Sequence, residues 1–192
     1  MATTKNGTRA KPSKARLAGS AGLTDEVRAK AIEVLTDRLY SLLDLHLTLK
    51  QIHWNVVGPS FIGVHEMLDV HTEFARRASD ELAERIVTLG GEAWGTPARI
   101  VGGRRWDDYP LGKGVVADHL SELTRVYDDI IVDTRAGMDS LEEEPVSQDM
   151  LTGFTEKLEQ YRWMTAAHLE SDGTLAPGIS HTDPARKSTK KR

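Results

Sequence analysis

Apolar residues recur at helical spacing in four separate stretches. The first runs through Ile32, Leu35, Leu39, Leu42, Leu43, His46, Leu49, Ile52 and His53 and predicts a helix over about 24–56. Thr24 with Asp25 and Glu26 offers a hydroxyl cap and early acids, and Gly58-Pro59 closes the segment. The second helix, about 61–89, carries Phe61, Val64, Leu68, Leu82, Ile86 and Leu89 on its apolar face. Ser60 is its expected cap and Gly90-Gly91 its stop. A third covers about 112–140, through Val115, Val116, Leu120, Leu123, Val126, Tyr127, Ile130 and Ile131. The fourth, about 147–172, is expected to be capped by Ser147, to bury Leu151, Phe154, Leu158 and Tyr161, and to end at Asp172-Gly173. No stretch alternates with period two, so the fold class is all-α.

The connections carry the topology. Short turns join the first helix to the second and the third to the fourth, making each pair antiparallel. Residues 90–111 contain five glycines, two prolines, Trp94, Trp106 and Tyr109. That is long enough to return along the bundle and to include one short helical turn, leaving the second and third helices parallel. One long crossover is the ferritin-like four-helix arrangement.

Charge divides the chain into a body, 23–173, and two tails, 1–22 and 174–192. Lys5, Arg9, Lys11, Lys14 and Arg16 give residues 1–22 a local +5 with no acid. Arg186, Lys187, Lys190, Lys191 and Arg192 against Asp183 give the far end +4. With a formal net charge of −4 for the 192 residues, the part between must hold −13. Such a body suits cations and such tails suit polyanions, where solubilising tails are the alternative. Residues 1–22 hold almost no large apolar side chain and 174–192 are polar, basic and rich in Pro, Gly, Ser and Thr, so both tails are expected to be disordered. The absence of cysteine excludes disulfides and thiolate metal sites. No apolar run has the length of a secretory signal core or a membrane span, so a soluble, cytoplasmic protein with no membrane partner is expected.

The candidate chemistry lies in Lys50–Arg85, where His53-Trp54-Asn55 precedes the turn and His65, Asp69, Asp80 and Glu84 follow it. At about 100° per residue the last four fall within roughly 100° of arc on one helix face. At 1.5 Å per residue, however, Asp69 and Asp80 stand about 16 Å apart. No single metal ion reaches both, because nitrogen and oxygen ligands sit near 2 Å. The helix therefore offers two half-sites, His65/Asp69 and Asp80/Glu84. An antiparallel two-fold partner, with its dyad near Phe74–Ala75, would join the first pair of one chain to the second pair of the other, and His53 could add to His65. A merely solvated acidic face is the plainer alternative. None of the seven histidines has Glu three residues before it, so a di-iron site of the usual Glu-x-x-His kind inside one bundle is not expected. Imidazoles and carboxylates without sulfur suit Fe(II), with Zn(II), Mn(II) and Co(II) as competitors. Trp54 is either an oxidisable neighbour of the site or interface packing. Among the other candidates, His46 is expected in the core, His71 exposed, and His119 and His168 in core or interface. The pairs Asp107-Asp108 and Asp128-Asp129 read as surface acids.

The run K-Q-I-H-W-N-V-V-G-P-S-F-I-G-V-H-E-M-L-D, followed by D-E-L-A-E-R-I-V-T-L-G-G, resembles the Dps family, the miniferritins or DNA-binding proteins of starved cells. The likeness is most specific over Lys50–Gly91, and helix order and lengths agree over roughly Leu23–Gly173. It implies a hollow shell of twelve subunits, built from two-fold dimers. It also implies metal ligands His53, His65 and Asp69 from one subunit with Asp80 and Glu84 from another. The implied reaction is oxidation of Fe(II), preferably by hydrogen peroxide, with Fe(III) stored as oxide and DNA protected. Trp54 matches the family's neighbouring tryptophan. Glu144 and Asp149 match its acidic pore region, with a capping acid and a loop acid as the alternative. Basic tails in such a shell would bind DNA at the nucleoid without sequence preference. A mainly nucleoid-compacting protein with minor iron chemistry is the alternative function.

Overall fold

A computed structural model describes residues 22–170. Helices α1 (Asp25–Asn55) and α2 (Phe61–Thr88) form one hairpin, and α4 (Val116–Asp139) and α5 (Pro145–Ala167) form the other. Between the hairpins runs the expected crossover, with α3 (Pro97–Gly103) inside it. The Thr24 side chain accepts from Val27 N at 3.3 Å and caps α1. Gly58, at φ +126°, takes the chain through the reversal into α2 in a backbone region that disfavours other residues.

One backbone feature has no counterpart in the predicted elements. Val56–Val57 (β1) pairs in parallel with Gly114–Val115 (β2), Val56 opposite Gly114 and Val57 opposite Val115. The pairing draws residues 114–115 out of the predicted third helix, so α4 begins at Val116. It also settles the topology. β2 opens α4 at the end of the bundle where β1 closes α1, so α2 and α4 start from the same end and run parallel.

Two expected caps are also corrected. Ser60 precedes α2 without a side-chain capping bond. Helix α5 starts at Pro145 rather than Ser147, because proline's fixed φ suits the first helical position. Its cap is Glu144, whose Oε2 accepts from Ser147 N at 2.8 Å. That helix ends at Ala167, short of the expected 172.

Leu35, Leu45, Leu49, Leu68, Leu82 and Leu120 are among the fully buried side chains of a core formed by all four long helices. Residues 104–109 fasten the crossover to this body. Trp106 Nε1 donates to Asp44 Oδ2 at 2.9 Å, and Tyr109 Oη lies 2.8 Å from Nδ1 of the buried His119. Arg104 spans Asp44 and Asp108, while Arg105 pairs with Asp37.

His71 departs from its expected exposure. It does lie off the acidic face, but the opposite face of α2 is the core. The residue is 1% exposed, hydrogen-bonded through Nδ1 to Tyr127 Oη at 2.8 Å, and stacked on Tyr161 at 4.0 Å between centroids. Burial, with the charge of His168 adding to it, lowers its pKa to about 4. His46 is only half-buried, with Nδ1 3.4 Å from Thr72 O. His168 is exposed in this chain. As expected, Asp107, Asp108, Asp128 and Asp129 are surface acids or half-exposed, with Asp128 held by Arg162.

Candidate metal centre

The turn after α1 folds its last helical residues against the first two turns of α2. His53 and His65 consequently stack, with ring centroids 3.6 Å apart and planes 29° from parallel. His65 Nδ1 donates to the carbonyl of His53 at 3.0 Å. This bond fixes the tautomer and leaves Nε2 with a free lone pair, the usual arrangement of a metal-binding histidine. One helical turn on, Asp69 Oδ1 stands 2.9 Å from His53 Nε2.

Ligand atoms of His53, His65 and Asp69 all lie within 4.8 Å of one another. His53 Nε2 is buried, and its close neighbour is that Asp69 oxygen. Two imidazoles and a carboxylate converging in this way are a donor set that suits a cation held between them. The cluster opens to solvent at Asp69, whose side chain is 57% exposed against 10% for His53.

Lys50 also belongs to this centre, and the sequence reading passed over it. It sits one turn before His53 on the same face of α1, which is the signal that could have found it. Its Nζ lies 3.3 Å from His53 Nδ1 and donates to Asp69 Oδ1 at 3.3 Å. Desolvation pushes the Asp69 carboxyl up, but the nearness of His53 and Lys50 outweighs it and holds the group below its ordinary value.

Asp80 and Glu84 are not part of the cluster. Both are exposed on α2, beyond the reach of the first three within one chain. Trp54 is 70% exposed, with Lys50 Nζ 6.0 Å from its ring centre. Ile62 and Leu47, 61% and 56% exposed, leave further apolar surface uncovered on the same hairpin. Of the two expected pore acids, Asp149 is exposed. Glu144 is 2% exposed and committed to the fold, capping α5 and accepting from Arg85 Nη2 at 2.8 Å. The basic residues Lys5, Arg9, Lys11, Lys14, Arg16, Arg186, Lys187, Lys190, Lys191 and Arg192 lie outside the described residues.

Residues 32–173 match the model of the ferritin-like domain. The DNA protection during starvation protein of Mycolicibacterium smegmatis is 48% identical over 153 residues, covering 79% of this chain and 84% of that protein. A tetragonal crystal form of Mycobacterium smegmatis Dps superposes with a TM-score of 0.80 at 46% identity, covering 82% of this chain and 96% of that one. Dps from Microbacterium arborescens in its high iron form matches with a TM-score of 0.74 at 32% identity, over 79% and 99% of the two chains. The helix order, the long crossover and the histidine pair at the α1–α2 turn thus come with extended sequence identity, and the chain belongs to the Dps family of ferritin-like proteins.

Proposed function

We propose that this protein oxidises Fe(II) at sites shared between subunits and stores the product as Fe(III) oxide inside a twelve-subunit shell. The carrying observation is the His53–His65–Asp69 cluster, whose ligand atoms converge within 4.8 Å and which is exposed at Asp69. Iron is the substrate. Asp80 and Glu84 from a two-fold partner close the open side and complete a centre for a pair of ions. Hydrogen peroxide is the oxidant. Each of two Fe(II) ions gives one electron, the O–O bond breaks, and with two protons the oxygens leave as water. Taking both electrons at one centre keeps hydroxyl radical from being released.

The donor set supports Fe(II), and it also admits Zn(II), Mn(II) and Co(II) as competitors. The relatives described as protecting DNA in starvation, and as a high iron form, support iron storage coupled to DNA protection. Exposed Trp54, Ile62 and Leu47 on the same hairpin as the cluster support a covering subunit. Asp149 remains the candidate pore acid. In this reading the basic ends bind DNA phosphates in the cytoplasm, at the nucleoid, and deleting 1–22 or 176–192 weakens a low-salt gel shift.

The test is His65→Ala with Asp69→Ala. Rapid Fe(II) oxidation by peroxide is expected to vanish while the assembly still forms by size-exclusion chromatography. An unchanged initial rate in the assembled variant would refute the assignment.

A further inference from the structure

The inter-subunit site has a register, and α2 carries it. The pairs His65/Glu84 and Asp69/Asp80 share one midpoint, between residues 74 and 75. Phe74 and Ala75 themselves are buried in their own bundle, so other side chains meet a partner at that level. The residues flanking the midpoint on the ligand face are Glu73 and Arg76. Relative to Asp69, Glu73 lies about 40° to one side of the face and Arg76 about 20° to the other. Their own midpoint is again between 74 and 75. Whatever two-fold operation sets His65 opposite the partner's Glu84 and Asp69 opposite the partner's Asp80 must also set Glu73 opposite the partner's Arg76.

The chemistry fits that placement. Within one chain Arg76 Nε and Nη2 grip the two Glu73 oxygens at 2.8 and 2.7 Å. The side chains remain 54% and 57% exposed, so both retain capacity for a second partner. Arg77 Nε stands 3.9 Å from Glu73 Oε1, Asp80 lies within electrostatic reach of Arg76, and His46 of α1 faces Glu73. Beside Arg76 and Asp80 opens a groove of about 380 Å³ walled by Leu39, Leu43 and Ala83, apolar surface of the kind a partner helix covers.

We infer that Glu73 and Arg76 are positioning residues that lock the dimer register. Across the two-fold axis they form an alternating ring of two carboxylates and two guanidiniums, and this ring aligns the half-sites on either side of it. The inference rests on the proposed inter-subunit site. Like charges brought together on the axis oppose pairing, whereas alternating charges select this one alignment over slipped ones.

The test uses two chains, Glu73→Arg and Arg76→Glu. Each alone places four like charges on the axis and is expected to assemble poorly and to oxidise Fe(II) roughly tenfold or more slowly. Mixed one to one, the two pair with every cross-axis contact complementary, although both intrachain pairs remain like-charged. Recovery of assembly in the mixture, read by sedimentation velocity, with circular dichroism confirming helix content, is therefore expected only if the contact is between chains. A mixture no better than the mean of its components would overturn the inference.

A second measurement holds even if a reversal disturbs the helix. The chain has no cysteine, so Glu73→Cys and Arg76→Cys chains mixed and oxidised should give more disulfide-linked dimer than either alone, and no excess would count against the register. Should the mixture recover assembly while the parent protein oxidises no iron, the register stands and the ferroxidase reading falls. Should the parent oxidise iron while neither mixture shows recovery, the reverse holds.

Discussion

The two halves of α2 carry similar imidazole and carboxylate side chains and sit in opposite circumstances. In the first half, His65 and Asp69 meet His53 and Lys50 from α1, with bonds that set a tautomer and draw a carboxylate toward imidazole. In the second half, Asp80 and Glu84 are exposed, and the neighbouring Arg85 turns inward to Glu144 and Ser147. Ligand residues on one helix face thus do not make one site. The first half is organised by its own chain, and the second is exposed surface. The proposal of a site shared between subunits rests on that difference.

Breaking the exposed half gives the largest expected effect. Asp80→Ala with Glu84→Ala should cut the initial rate of Fe(II) oxidation by about 10²-fold or more, measured by stopped-flow absorbance. Helix content and thermal midpoint should stay near the parent's, because neither side chain supports the fold.

A sharper contrast comes from the other stacked histidine on α2. His71 lies two residues past Asp69, but its ring is sealed between Tyr127 and Tyr161. Its pKa is lowered to about 4 in the folded state, from an ordinary 6.5, by burial. Above pH 6.5 it is neutral folded or unfolded, and its contribution is fully present. As pH falls from 6.5 toward 4 the unfolded chain takes up a proton that the folded one refuses, so stability drops, by about 3 kcal/mol at the limit. Urea unfolding at a series of pH values should show this slope, and His71→Leu should flatten it. The oxidation rate at neutral pH should be unaffected by that substitution.

Tyr127→Phe removes the hydroxyl on His71 Nδ1. It should lower stability by about 1–3 kcal/mol in urea unfolding with iron oxidation unchanged. The smallest effect is expected at Trp54. Trp54→Ala removes exposed apolar area at the proposed interface and should weaken subunit association by about 1–2 kcal/mol, seen as a lower dissociation midpoint in sedimentation. It should leave the stability of the isolated bundle alone.

Local signals carried much of the fold. Thr24, Gly58 and Gly90 punctuate α1 and α2, and both helices fall within about one residue of their expected ends. The start of α4 was illegible because it depends on Val56 and Val57, which lie far back in the chain. The cap of α5 was misplaced because Pro145 takes the first helical position and pushes the capping role to Glu144. Helical phase correctly set His71 apart from the ligand face, but its burial required knowing that Tyr127 and Tyr161 close over it. At the site, helical spacing singled out His65, Asp69, Asp80 and Glu84, with His53 suggested by its place before the turn; the fold brings His53, His65 and Asp69 together. Lys50 escaped because a lysine is not a ligand by type. Glu73 and Arg76 escaped because an i, i+3 ion pair reads as ordinary surface until its midpoint is compared with that of the ligands.

Subunit complementation tests the shared site most directly. Chains with His65→Ala and Asp69→Ala are co-assembled one to one with chains carrying Asp80→Ala and Glu84→Ala. Neither chain alone should oxidise Fe(II) rapidly. In mixed dimers one of the two sites draws all its ligands from unmutated halves, so random pairing should restore about a quarter of the parent rate. A co-assembled mixture that stays as inactive as its components would contradict a site built between subunits.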